Sequence, residues 1–237
     1  MINASYALAL TVLAFLTYSF TRSALGQSCP ANITTTIQTC TLGSNSRVDV
    51  NTSGNVTGTL NVANNVSLSS SVNDSIQNQG IITTISINNG IAVKGALYAI
   101  RNGAQIKNIN ILSGASLSGI AYGIYTIDGG QTDTGRLIGN INNQGTVTNT
   151  SSLNGGAIYL GQGGMITSIS NSGTLTGLNG IILNFGSIGT ISNSGLISST
   201  GNAGVYLPGG GSITTITNGS ATNSAATISG PNAFLLN

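Results

Sequence analysis

Four aspartates, Asp49, Asp74, Asp128 and Asp133, are the whole acidic inventory of this 237-residue chain, which has neither glutamate nor histidine. The side chains that most often act as general acid, general base or metal ligand are therefore nearly missing. Only Asp128 and Asp133 lie close together, in the glycine-rich stretch DGGQTDTG (residues 128–135). They could meet as a carboxylate pair or as a weak Ca²⁺ site. A solvated turn is the simpler reading, because Asp-Gly is a turn dipeptide and the glycine-rich Ca²⁺-binding nonapeptide repeat is absent. On this inventory we assign no catalytic residue, no metal and no cofactor, and the chain reads as a non-enzyme.

Three other groups could carry chemistry. Cys29 and Cys40 are the only cysteines. In an exported protein two nearby cysteines pair, and no further thiol or imidazole is present to complete a metal site. Tyr98, Tyr125, Tyr159, Tyr206 and Phe234 recur at one place in a repeat, with Ile182 in the same column. They form a candidate contact stripe for a sugar or a protein, or else a self-packed aromatic ladder, which is the favoured reading. Thr146/Thr148 and Thr174/Thr176 form a Thr-x-Thr pair of the ice-binding kind, but the next copy reads Leu196/Ser198 and interrupts it.

The elements that would position these groups follow from a repeat. Its clearest copies are IGNINNQGTVT from Ile138, ITSISNSGTLT from Ile166 and IGTISNSGLIS from Ile188. Copies at Ile82 and Ile106 carry one extra residue before the glycine, and a degraded copy begins at Ile213. The starts are spaced 24, 32, 28, 22 and 25 residues apart. A second element follows each copy, as in ALYAI from Ala96, GIYTI from Gly123 and AIYL from Ala157. A period of this length with short alternating strands indicates a solenoid, and no stretch of the mature chain has the 3.6-residue period of a helix. The expected fold is all-β: a parallel β-helix of six to eight coils.

Within it, Ile141, Ile169, Ile191 and Ile216 should form one interior column, and Val147, Leu175 and Ile197 another. Asn143/Gly145, Asn171/Gly173 and Asn193/Gly195 fall at turns, where both residue types tolerate positive φ. The stacked asparagines can also hydrogen-bond between coils as amide ladders do. The aromatic column should face outward.

Composition agrees with this picture. Charged residues make up 4% of the chain and glycine 34 of its residues. The formal charge of +2 comes from scattered single residues, which argues against a nucleic-acid partner. Ala4 to Phe20 form an apolar run, followed by Thr21, Arg22 and Ser23 and then by Ala24-Leu25-Gly26. This reads as a signal peptide cleaved before Gln27 rather than as a membrane anchor. The expected organisation is a signal peptide over 1–26, a disulfide-clipped cap over 27–50, and a repeat array over 51–237.

The repeats written around N-S-G-T-[IL], the ALGQSCP start (residues 24–30) and the nearby second cysteine resemble the passenger regions of autotransporters, the type V secreted proteins of Gram-negative bacteria. The resemblance covers essentially the whole mature chain. It implies a right-handed β-helical stalk exported through a C-terminal β-barrel and displayed at the outer-membrane surface. It also implies a role in adhesion to host cells or matrix, or in self-association. The chain departs from the family by ending at ISGPNAFLLN, with no run of barrel strands. The expectation is therefore a truncated array whose last coil frays or associates end to end. Membrane attachment would come only through the missing barrel, and without it the product would be secreted or periplasmic. A free ligand-binding solenoid and a polysaccharide-acting β-helix enzyme are the alternatives.

Overall fold

The computed structural model describes residues 27–42, 47–62, 68–70, 74–127, 135–153, 155–219 and 225–236. Asp128, Asp133 and residues 1–26, expected above to be a signal peptide, lie outside the described residues. The described chain forms only strands and turns, wound into three parallel sheets of ten, seven and nine strands. In each regular coil a seven-residue strand of the first sheet is followed by a four-residue strand of the second and a five-residue strand of the third. Gln105–Ile111, Ser116–Gly119 and Tyr122–Thr126 are one such set. Each strand pairs in register with the equivalent strand of the next coil, about 4.8 Å away. This is the expected parallel β-solenoid.

The spacing I-x-x-I explains the shape of the first sheet. A flat strand turns every second side chain inward, yet Ile106 and Ile109 are both buried and are three apart. Lys107 and Asn108 between them both face outward, so the strand bends at that point. The same bend recurs at Ile138/Ile141, Ile166/Ile169 and Ile188/Ile191, all buried. The column Ile109–Ile141–Ile169–Ile191–Ile216 is in register as expected. So is the second-sheet column Leu117–Val147–Leu175–Ile197.

The asparagine ladder forms, and it faces inward. Asn143, Asn171 and Asn193 are almost wholly buried. The Asn143 Nδ2 donates to Asn171 Oδ1 at 2.7 Å, Asn171 to Asn193 at 2.7 Å, and Asn193 to Asn218 at 2.6 Å. The second Nδ2 hydrogen reaches a carbonyl one coil on, at Thr174, Leu196 and Thr227, each 3.1 Å away. The Oδ1 of Asn143 also accepts the N–H of Gly145 at 3.2 Å, closing the corner. Burying an amide without partners would cost a few kcal/mol; here a like residue in the adjacent coil supplies them.

The glycines of these corners have a different role from the one expected. Gly145, Gly173 and Gly195 do not adopt positive φ. A Cβ on Gly173 would stand 2.1 Å from the Gly145 carbonyl oxygen, and one on Gly195 would stand 2.2 Å from that of Gly173. They are glycine because consecutive corners stack backbone on backbone. Between the first and second sheets, positive φ belongs instead to the longer corners, at Gly90, Gly114 and Gly219.

The corners of the first sheet follow a pattern. At the corners into and out of this sheet, where only two residues separate the strands, the entering residue is a buried asparagine; the two-residue corners from the second sheet to the third are entered instead by Gly95 and Gly119. Asn143 precedes Gln144-Gly145, and Asn78 and Asn102 precede the same kind of short corner between the third and first sheets. Asn78 donates to Asn102 Oδ1 at 2.8 Å, and the N–H groups of Gly80 and Ala104 are accepted at 3.1 and 3.3 Å. Most longer corners of the first sheet are entered by an aliphatic residue, as at Ile87, Ile111, Leu160, Leu183 and Leu207, while Thr126 and Asn218 also enter long ones. A tight corner turns an N–H inward and needs an acceptor there, while a longer one closes on its own backbone, as in Ala115 N–H to Leu112 O at 3.0 Å.

The segment 27–50 is less irregular than its sequence suggests. Its short strands Asn32–Ile33 and Val48–Val50 already pair in register with the third sheet, and Gln27–Ser28 pairs with Cys40–Leu42 in the first. Cys29 and Cys40 form a disulfide, and both are buried in the core.

Replacing Asn171 with alanine removes the middle rung of the ladder and leaves amide groups of Asn143 and Asn193 unmatched. Urea denaturation should show a loss of about 2–4 kcal/mol. Ser170→Ala, next to it but on the exposed face, should change stability by less than about 0.5 kcal/mol. Equal losses for the two variants would contradict an interior ladder.

Candidate functional site

The outward face of the third sheet brings together most of the side chains able to do chemistry. Its register is set by the buried column Ile76–Ile100–Ile124–Ile158–Ile181–Val205. The residue after each of these faces out. The outer column therefore reads Gln77, Arg101, Tyr125, Tyr159, Ile182, Tyr206 and Leu235, with Asp49 preceding Gln77.

Two members of the expected stripe are displaced. Tyr98 is opposite Tyr122, and Arg101 holds the position next to Tyr125. Phe234 is opposite Val205, and Leu235 takes the place beside Tyr206. The cause is the interior: Ile100, rather than Leu97 and Ala99, sets the register, and Leu97 is 51% exposed. Tyr125, Tyr159, Ile182 and Tyr206 do stack in one column.

Tyr122, which the aligned repeats did not single out, completes a cluster. It stands three residues before Tyr125, with inward-facing Gly123 and Ile124 between them, so both rings emerge on one face. Gly123 is confined, since a Cβ there would stand 2.4 Å from Val147 Cγ1. The rings of Tyr98 and Tyr125 lie 4.2 Å apart at an interplanar angle of 14°. Tyr122 is 5.5 Å from Tyr125 at 9° and 4.7 Å from Tyr159 at 33°. Tyr159 lies 5.3 Å from Tyr125, is only 9% exposed, and its hydroxyl accepts a hydrogen bond from Asn184 Nδ2 at 3.0 Å. The rings turn their faces to one another, which is the geometry of a self-packed ladder and leaves edges rather than open faces to the solvent.

On the N-terminal side of this cluster lie four charges. Arg47 Nε donates to Asp49 Oδ1 at 2.8 Å, and its Nη2 donates to Gln77 Oε1 at 2.9 Å. Asp74 is buried, with its Oδ2 3.9 Å from Arg101 Nε. That separation is an ion pair rather than a hydrogen bond. Burial pushes the Asp74 carboxyl above its ordinary value of 3.8, against the opposing pull of Arg101 and the backbone N–H of Tyr98. Among the described residues no group of three or more Asp, Glu, His or Cys could hold a metal ion, and no helix is long and apolar enough to cross a membrane.

A second feature is a notch of about 310 Å³ where the long corner after Ile111 gives way to the short corner after Asn143. It is lined by Ser86, Asn110, Leu112, Asn142, Gln144 and Ser170 among others, without a charged side chain. Asn142 Nδ2 donates to Asn110 Oδ1 at 2.8 Å along its floor. The Thr-x-Thr pairs are in register on the second sheet, and Leu196 interrupts their outer row as expected.

A carboxyl raised on folding stabilises the fold most below its unfolded pKa, and that contribution is lost as pH rises through the folded value. The melting temperature of the wild type relative to Asp74→Asn should therefore fall as pH increases from about 3 to about 7. A difference that is flat would mean that Arg101 offsets burial at this site, and one that rises with pH would mean that it outweighs burial.

Compared with protein-family models, with curated proteins and with solved structures, the chain matches none, so what it does must be read from its own residues.

Proposed function

We propose that this chain is an exported structural and adhesive stalk, a passenger-like segment of a type V secreted protein at a Gram-negative cell surface, with no chemistry of its own. The observation that carries the reading is the use of the polar side chains. In the regular coils they bond mainly to the next coil. Asn140 donates to Asn108 Oδ1 at 2.9 Å, Ser168 to Asn140 Oδ1 at 2.7 Å, and Ser198 to Thr176 Oγ1 at 2.9 Å. Inside, the asparagine ladders do the same. Such a rod is stiff along its axis, and each coil is stabilised by its neighbours. On the third-sheet face Arg101 pairs with Asp74 one coil away, and Arg47 pairs with Asp49 in its own coil and donates to Gln77 of the next. The Cys29–Cys40 bond fits an oxidising compartment. The partners of a stalk of this kind are a host-cell or matrix surface, or further copies of itself.

The neutral notch around Asn110, Asn142 and Gln144 favours a second reading, a free solenoid that binds an uncharged saccharide through amide and hydroxyl groups. Gln144→Ala would then lower retention on neutral polysaccharide at least fivefold, whereas a stalk would show no retention to lose.

Expression from the native start codon in a Gram-negative host tests the export on which the first reading depends. The recovered chain should lie outside the inner membrane, begin at Gln27 and carry oxidised Cys29 and Cys40. Cytoplasmic protein that retains residues 1–26, with both thiols free, would remove the basis for a surface stalk.

A further inference from the structure

The four tyrosines on the third-sheet face offer more than packing. Tyr98, Tyr122, Tyr125 and Tyr159 form a continuous set of phenols with neighbouring centroids 4.2 to 5.8 Å apart. The closest pair, Tyr98 and Tyr125, joins adjacent coils at 4.2 Å with rings only 14° from parallel. Rings at that separation and angle are in face-to-face stacking contact. All four rings sit on the outer face of the sheet rather than in the core.

We infer that Tyr98 and Tyr125 are a dityrosine cross-linking site, at which a peroxide-driven one-electron oxidant joins two successive coils covalently. The co-reactant is hydrogen peroxide acting through a haem peroxidase. Each phenol gives up one electron and its hydroxyl proton to become a neutral phenoxyl radical. The two ortho carbons form a C–C bond, and the hydrogens they carried move to the oxygens as the rings regain aromaticity. Overall two C–H bonds are replaced by one C–C bond, and the two electrons and two protons reduce one peroxide to two waters. The neighbouring rings of Tyr122 and Tyr159 favour the step, because a radical formed on any of the four can pass among stacked phenols to the closest pair. The inference rests on ring geometry and is independent of the stalk reading. Its effect is that of a second staple: the disulfide clips the first coils, and the new bond would clip two coils in the middle of the array.

The test uses the full chain at low micromolar concentration with a haem peroxidase and hydrogen peroxide. Dityrosine fluorescence should appear on the monomer band, and digestion followed by mass spectrometry should find the peptides containing Tyr98 and Tyr125 joined with loss of two hydrogens. Tyr98→Phe and Tyr125→Phe keep the ring and its packing but cannot form the phenoxyl radical, and each should cut the monomer signal at least threefold. Tyr206→Phe should leave it unchanged, and the circular dichroism of all three should match the wild type. The cross-linked monomer should also melt several degrees higher than the untreated chain. Dityrosine found only in dimers, joined peptides from any other pair as the main product, or an undiminished monomer signal in Tyr98→Phe would each overturn the assignment.

Discussion

In-register parallel stacking is the constraint from which the rest of this molecule follows. Each residue lies over its counterpart one coil away, so every position becomes a column and each column must be compatible with itself. Apolar residues meet this requirement readily, as the isoleucine columns of the first sheet do. A buried polar residue meets it only if it can both donate to and accept from a copy of itself. Asparagine can, with two donors and an acceptor on one short side chain. That is why it is the residue at the tight corners of the first sheet, at Asn78 and Asn102 and again at Asn143, Asn171 and Asn193.

The same constraint accounts for the irregularities. At two places a corner changes length along the array and the column it interrupts changes character with it, whereas Asn218 continues the asparagine column into a longer last corner. Between the coils of Ile111 and Asn143 the corner shortens from residues 112–115 to residues 144–145, and the interior column passes from isoleucine to asparagine. The backbone does not fill the step on the outside, and the neutral notch is the result. Between the coils of Asn102 and Leu160 the opposite change occurs at another corner, with buried Thr126 between them. The ladder thus passes from one edge of the solenoid to another along its length.

The outer face of the third sheet is the least uniform surface, and it carries the charges and the tyrosines together. Its columns run from paired ions in the early coils to aromatic rings in the middle ones. Both halves join coils: the ions through Arg47 and Arg101, the rings through their faces. Chemistry and stability are not separable on this face, because the groups able to react are also those that hold neighbouring coils in place.

Much of this was legible in the sequence because the repeat is short and local. I-x-x-I, the paired asparagine and glycine, and the aliphatic at the start of the next strand recur within a single coil, so their spacing alone determined the parallel solenoid, the isoleucine columns and the asparagine ladder after Asn143. Register in the third sheet was not legible. The copies there are at most five residues long, and aligning them on the tyrosines placed Tyr98 over Tyr125, whereas burial of Ile100 places Arg101 there. Tyr122, the Asn78–Asn102 rung and the Asp74–Arg101 pair escaped for the same reason. Local pattern states which residues can face inward, but which of them does is decided by fit against the other two sheets. Gly123 against Val147 is one such fit, formed between residues on different sides of the coil. The sequence by itself determined a stack of β coils closed by asparagine and glycine corners. The tertiary structure alone decided which side chains share a column on the outer face, because that register is a property of the packed interior and not of any single strand.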